Sequence, residues 1–269
     1  MQKILLISDM PIGASNRGAE ANDKIIYDSL HCDFYSCEDF NNSCLTKKYD
    51  KYIISNFALL SQESKEILSN KKYVHIAHDF LFTPSRNPFY FKDGIVPNDQ
   101  KINQEFFKNA KTIYTQSSFQ QTIFENNSIL ANYKNIGGNL WTNSQLEFML
   151  DLRLFIKKPI AAILGNQLKG AAQSVELCKA LNIPYEIFDD MPYYQFLQKL
   201  AKYSTMVFIP FIPETFSRVL IECKLMGVLP ITHNNCGATY EEVYKLNEQD
   251  LADELIKIRD NFLEELKNE

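Results

Sequence analysis

Apolar and polar positions along this chain follow a repeating rhythm: a short apolar run, a polar break, then an amphipathic stretch of helical period. Read as strands and helices in turn, the first half predicts strands over residues 4–8, 52–55, 73–77 and 112–115. Its helices are predicted over 19–30, 61–69, 101–110 and 117–126. The second half repeats the scheme, with strands at 160–164, 184–188, 205–209 and 229–232. Its helices are predicted at 169–181, 193–202, 216–226 and 250–267. Alternation of this kind predicts parallel sheets covered by helices on both faces. Residues 80–98, with Pro84, Pro88 and Pro97, interrupt it with an irregular segment whose length favours a functional loop. The paired glycines Gly137 and Gly138, within residues 135–143, mark a hinge. The expected architecture is α/β, with Rossmann-like domains over 1–140 and 141–269, the second closed by a charged terminal helix.

Composition changes this picture little. The 269 residues suffice for two domains of ordinary size, and 45% apolar with 23% charged residues is usual for a soluble globular protein. No apolar run approaches the roughly 20 residues of a membrane span. The start, Met1-Gln2-Lys3 followed by Ile4-Leu5-Leu6-Ile7-Ser8, is too short for a signal peptide and is polar again by Asp9, so a cytoplasmic protein is expected. Cys32, Cys37, Cys44, Cys178, Cys223 and Cys236 form no C-x-x-C pair and read as free thiols rather than disulfides or a zinc site. A net charge of −5 is mild evidence against a phosphate-backbone partner. Residues 1–150 nevertheless carry 15 Lys/Arg against 16 Asp/Glu, and 151–269 carry 13 against 17, which leaves room for a local basic patch on the first half.

The densest chemistry lies where a strand-like run, Phe208-Ile209, passes through Pro210 and Pro213 to Glu214 and then into a helix that carries Glu222. In a parallel α/β sheet ligands bind beyond the carboxyl ends of the strands. The free N–H groups of a helix starting there suit a diphosphate, and a carboxylate further on can accept from ribose hydroxyls. Spacing alone fits a simpler account equally well: Glu214 as a favourable charge at a helix start and Glu222 as a solvated helix residue.

The run Glu214-Thr215-Phe216-Ser217, then Glu222, then Gly227-Val228-Leu229-Pro230-Ile231, resembles the Glu-(seven residues)-Glu signature of retaining glycosyltransferases of the GT-B fold. Gly237 stands where that family has a further loop glycine. The match covers about 35 residues strongly and the rest by layout. The resemblance implies two Rossmann-like domains with parallel sheets facing across a cleft, and a nucleotide-sugar donor such as a UDP- or GDP-sugar. It implies that Glu222 holds the donor ribose, that Glu214 lies near the donor sugar, and that Thr215, Phe216 and Ser217 face the phosphates. Ser217 replaces the usual glycine. The family's Gly-Arg-…-Lys-Gly element is matched by Gly165-Asn166-Gln167-Leu168-Lys169-Gly170, with Lys169 kept and Asn166 in the arginine's place. Arg218 is expected to supply the missing charge. A surface lysine at a helix start is the simpler account of Lys169.

In the first half, Gly13, Ala14, Arg17 and Gly18 follow the first strand with spacing like a P-loop, but Ala19 occupies the place of the essential lysine, which excludes a nucleoside triphosphatase. By the resemblance this loop lines the cleft; a plain βα turn fits as well. His75 and His78 leave one strand toward opposite faces and are not expected to share a metal. The resemblance implies that His78 meets the donor sugar, while His75 reads as packed and Arg86 as a residue of the acceptor side. Ser117 reads as a helix cap and Trp141 as packing between the domains.

The expected reaction is transfer of a hexose or pentose with retention, without a metal or cofactor, the departing diphosphate taking the acceptor proton. The acceptor is a saccharide or glycan. The compact, Lys/Asn/Ile-rich style also looks similar to small phage transferases, which adds a hydroxymethylated DNA base as a second acceptor class. A basic stripe of Lys47, Lys48, Lys51, Lys71 and Lys72 would support DNA. A nucleotide-sugar epimerase and a non-catalytic nucleotide-sugar-binding protein stay as alternatives, and the oligomeric state is left open.

Overall fold

The computed structural model describes residues 2–14 and 18–269. The chain divides into two compact units, one of Met1–Leu140 with Arg259–Glu269 and one of Trp141–Ile258.

The first unit is built from β1 (Ile4–Ser8), α1 (Gly18–Leu30), β2 (Asp33–Ser36), β3 (Lys51–Ile54), α2 (Gln62–Ser69), β4 (Tyr73–Ile76), α3 (Gln104–Asn109), β5 (Thr112–Thr115), α4 (Ser118–Asn126) and β6 (Tyr133–Asn135). Its six strands are parallel in the order β2-β1-β3-β4-β5-β6, with Leu6 opposite Phe34 on one side and Ile53 on the other. The strand period of two sorts β1 cleanly. Leu5 and Ile7 join Phe57, Phe80, Phe107 and Phe124 in one buried cluster. Ile4 and Leu6 join Ile25 and Ile26 of α1 in the other. Ser61 and Ser117 cap α2 and α4 by accepting from Ser64 N–H and Gln120 N–H. β2 and β6 were not predicted from the sequence. They are the two edges of the sheet, and their polar, partly exposed residues carry no apolar run to announce them.

The irregular segment 80–98 is tied into this core. Phe80, Leu81, Phe82 and Val96 are buried. Asn127 fastens the segment, accepting from Val96 N–H at 2.8 Å and donating to the Gly94 carbonyl at 2.9 Å. Its length is therefore explained by packing.

The second unit contains α5 (Asn143–Leu152), β7 (Lys158–Leu164), α6 (Ala171–Ala180), β8 (Tyr185–Phe188), α7 (Tyr193–Leu200), β9 (Tyr203–Val207), α8 (Arg218–Leu225), β10 (Leu229–Ile231) and the start of α9 (Glu248–Asn268). Four parallel strands run in the order β10-β9-β7-β8. α5 also escaped prediction, although Thr142 and Gln145 form a reciprocal capping box at its start.

Residues 259–269, expected in the second domain, belong to the first unit. Phe262, Leu263 and Leu266 are buried in one cluster with Ile4, Leu6 and Ile53. Lys51, expected on a basic surface stripe, is itself buried and donates to the Leu266 and Lys267 carbonyls at the end of α9. All six cysteines are buried free thiols. Among the described residues no helix is long and apolar enough to cross a membrane.

In each unit the strand order reverses direction once, between β1 and β3 and between β7 and β9. Crevices at such switch points, outside the carboxyl ends of the strands, are where open α/β sheets bind ligands.

Candidate active site

The β7–β9 switch point brings together the residues singled out after these two strands. After β7 the chain turns sharply at Gly165 and Gly170, and the packing explains both glycines. A Cβ on Gly165 would lie 2.8 Å from the Phe188 carbonyl oxygen, and one on Gly170 would lie 1.7 Å from that of Ile209. Between them Asn166 closes the turn, its Oδ1 accepting from Leu168 N–H at 2.9 Å and Lys169 N–H at 3.3 Å. The residue in place of the family's arginine is thus a loop cap. Lys169 projects from this turn, and its ammonium donates to Glu214 Oε1 at 2.6 Å.

Glu214 is held by backbone bonds to the neighbouring loop. Its N–H donates to Asn235 O at 2.8 Å, its carbonyl accepts from Gly237 N–H at 2.9 Å, and Phe216 O accepts from Ala238 N–H at 2.7 Å. Thr215 is half-buried between them, and Phe216 is buried in the core of the unit. Ser217 then enters α8 with φ 81° and ψ 84°, in left-handed space. An L-residue there costs on the order of 1–3 kcal/mol. This is the position where the resembling family carries glycine. Ser217 is 8% exposed, and its hydroxyl has no hydrogen-bond partner among the described residues.

Glu222, one turn into α8, is 3% exposed and enclosed. Its Oε1 accepts from Tyr193 O–H at 2.6 Å and Trp141 Nε1–H at 3.3 Å, and lies 3.5 Å from Arg218 Nε. The Arg218 guanidinium also lies over the Trp141 ring, 4.2 Å from its centroid. Burial first, and then the Glu222 carboxylate, push the Tyr193 hydroxyl far above its usual range, so it stays a donor. All three contacts fall on one oxygen, leaving Oε2 outside this set. Arg218, expected to serve in place of an arginine at Asn166, has its guanidinium beside Glu222 and over the indole. Trp141 was expected between domains; it is buried in the core cluster of the second unit. Tyr193 went unnoticed in the sequence, where nothing ties it to a glutamate 29 positions later.

In the first unit, Gly13 and Ala14 form an exposed turn after β1, closed by Ala14 N–H donating to Pro11 O at 3.0 Å, and Gly18 opens α1. Arg17 lies outside the described residues. Arg86, at φ 56°, donates from Nε to Asp79 Oδ2 at 2.6 Å. His78 follows β4 and both its ring nitrogens are engaged. Gln116 Nε2 donates to Nδ1, so Nε2 carries the proton and donates to Ser55 Oγ at 2.9 Å. Burial, with a smaller push from His75, lowers the His78 pKa to about 3, so the ring is neutral. The network continues through buried side chains: Asn139 Nδ2 donates to Gln116 Oε1 and Asn22 Nδ2 to Asn139 Oδ1, both at 2.8 Å. On its other side, Asp23 accepts from Ser8 Oγ at 2.5 Å and has Oδ1 3.9 Å from His78 Nε2. Burial raises the Asp23 pKa to about 7. His75 packs edge-on against Phe57, with ring centroids 4.9 Å apart. Among the described residues no group of three His, Cys, Asp or Glu side chains is placed to hold a metal.

Two parallel α/β units in tandem, with these loops at the strand ends of the second, make the fold GT-B, the architecture of the glycosyltransferases to which the chain is similar. One is the sucrose-phosphate synthase of Thermosynechococcus elongatus, with TM-score 0.58 and 14% identity over 86% of this chain and 81% of that one. A second is an alpha-glucosyltransferase in complex with UDP and a 13-mer DNA containing a HMU base, with TM-score 0.52 and 11% identity over 98% and 95%. A third is Anabaena HepE in complex with UDP and glucose, with TM-score 0.55 and 12% identity over the whole of both chains. No family model matches the sequence, and no curated protein matches it significantly.

Proposed function

We propose that this protein is a glycosyltransferase that takes a sugar from a UDP-sugar bound at the β7–β9 switch point and transfers it with retention. The observation that carries the reading is the pairing of Lys169 with Glu214 beside the amino end of α8. A diphosphate would take the Lys169 ammonium and the N–H groups at the amino end of α8, charge-assisted bonds of the kind that stabilise a leaving phosphate. Glu214, released from Lys169, would turn to the hydroxyls of the donor sugar. Glu222 Oε2 would accept from the ribose, while Tyr193, Trp141 and Arg218 keep the carboxylate in place through Oε1. With the Lys169 ammonium and the α8 dipole opposite the diphosphate, the proposal requires no metal.

UDP is favoured over GDP because two solved structures similar to the chain contain it. The test is thermal stabilisation by UDP, GDP and their sugars. A ligand at 100 times its dissociation constant adds about 2.7 kcal/mol, a rise of roughly 5–11 °C in melting temperature for a chain of this size. No shift with any nucleotide would end the transferase reading. Product anomeric configuration by NMR tests retention, and full turnover in EDTA tests independence from metal.

For the acceptor, a saccharide hydroxyl is the first reading. A hydroxymethylated base in DNA is the second, and the similarity over 98% of this chain to a transferase complexed with HMU-containing DNA favours keeping it. The displacement of Lys51 from the basic stripe weighs against DNA. Radiolabelled sugar transfer to modified and unmodified duplexes separates the two.

A further inference from the structure

The amino end of the second unit's strands, away from the candidate site, carries a feature that the transferase reading does not use. Between α5 and β7 the sequence runs Arg153-Leu154-Phe155-Ile156-Lys157-Lys158, and its three consecutive apolar residues are all exposed, Leu154 by 76% and Ile156 by 95%. Single exposed apolar side chains are ordinary, but a contiguous run marks a contact surface or a fault in design. Leu229, at the start of β10, adds a fourth exposed apolar side chain at the same end of the sheet.

This tip is held out rather than loose. Successive turns close it, with Arg153, Leu154 and Phe155 N–H groups donating to Leu150, Asp151 and Leu152 carbonyls at 3.1–3.2 Å. Lys157 pins its base, its ammonium donating to the Ala201 carbonyl at 2.9 Å and the Met226 carbonyl at 2.8 Å, where α7 and α8 end. Arg153 pairs with Glu248 on the other side. The surrounding charge is basic. Lys158 and Lys202 are exposed beside it, joined through Lys158 N–H donating to Lys202 O at 2.7 Å; the acids close by are Asp151, Glu248, which Arg153 pairs, and Glu186, which Lys199 pairs. This basic, apolar face belongs to a chain whose net charge is −5.

We infer that the tip of residues 154–156 docks on an anionic lipid surface, inserting Leu154, Phe155 and Ile156 among the acyl chains while Lys158 and Lys202 meet the headgroups. Shallow apolar insertion backed by cations is how a peripheral protein binds a charged membrane. The candidate donor site lies at the carboxyl ends of β7 and β9, whereas the tip lies at their amino ends, so the site stays clear of the surface.

The test is co-sedimentation with vesicles of equal parts phosphatidylglycerol and phosphatidylcholine, compared with phosphatidylcholine alone. The wild type is expected to bind the anionic vesicles, to lose binding in high salt, and to ignore the neutral ones. Leu154→Ser with Ile156→Ser is expected to lower the partition coefficient by about tenfold or more, and Lys158→Glu with Lys202→Glu to do likewise. Both pairs are exposed, so far-UV circular dichroism should be unchanged. Ile156→Trp should blue-shift its emission on anionic vesicles against the constant signal of buried Trp141. No binding by the wild type, or binding that survives both double variants, overturns the inference. So does sedimentation velocity showing a dimer that Leu154→Ser with Ile156→Ser dissociates, since the tip would then be covered by a second copy. None of these readouts depends on donor binding.

Discussion

Trp141 and Glu222 are joined by a hydrogen bond from the indole N–H to Oε1 at 3.3 Å, which fixes the carboxylate that the proposed donor site needs. With Arg218 and Tyr193 it forms a buried, charge-bearing group. Removing one partner of such a group leaves the other uncompensated, at a cost of about 3–5 kcal/mol. Glu222→Ala should therefore lower the urea midpoint strongly, whereas Glu222→Gln, which keeps an oxygen for Tyr193 and Trp141, should cost clearly less. If Oε2 reads the ribose, Glu222→Gln should also weaken UDP binding while leaving the fold intact. Equal stability of Glu222→Ala and wild type would show that the cluster carries no net interaction.

Ser217 gives a prediction of the opposite sign. Its φ of 81° is strained for any residue with a Cβ, and its buried hydroxyl has no partner among the described residues. Ser217→Gly should stabilise the protein by about 1 kcal/mol through relief of left-handed strain, seen as a rise of roughly 2–4 °C in melting temperature. Ser217→Ala retains the strain and should gain less. A Ser217→Gly variant that is more stable but binds UDP more weakly would assign the hydroxyl a part in the site.

Ser217 also marks how far the sequence could be read. The central strands and most helices follow from apolar period alone, because β1, β3, β4 and β5 are buried along their whole length. The edges β2 and β6 do not, since a strand with one exposed flank need not be apolar. The loop from Glu214 to Ser217 was legible as a helix entrance through its prolines and carboxylate. What the sequence could not provide was the enclosure of Glu222, whose partners Trp141 and Tyr193 lie 81 and 29 positions away. Local pattern carries no information on such pairings. For the same reason Lys51 was read as a surface charge.

Lys169 and Gly170 separate function from fold at adjacent positions. The Lys169–Glu214 pair is partly exposed and should add less than about 1 kcal/mol to stability. Lys169→Ala is thus expected to melt close to wild type. Loss of a charge-assisted bond to phosphate should weaken UDP by roughly 10- to 100-fold, measurable by calorimetry; unchanged affinity would remove Lys169 from the site. Gly170→Ala should do the reverse damage, because its Cβ would fall 1.7 Å from the Ile209 carbonyl oxygen and the backbone of two loops would have to separate. Loss of soluble protein or a drop of several kcal/mol is expected, beyond what a surface glycine in ordinary geometry costs.

The buried network around His78 makes stability depend on pH in two opposing ways. Burial raises the Asp23 pKa from 3.8 to about 7, so the folded state holds a proton that the unfolded state releases. Its contribution is fully present below pH 4 and is lost as pH rises toward 7, by on the order of 4 kcal/mol. His75 and His78 act in the other sense. Their pKa values fall from 6.5 to about 4 and about 3, so acid favours the unfolded chain as pH drops below 6.5. The two effects are separable with Asp23→Asn, which has the shape of the protonated acid and cannot ionise. Relative to wild type, the variant should gain stability progressively from pH 4 to pH 7, the difference levelling off above that. Urea titrations at a series of pH values give the comparison directly. A difference that stays constant across this range would mean that Asp23 does not change its protonation on folding, and that the carboxylate is accommodated by Ser8 and Ser55 as an ion.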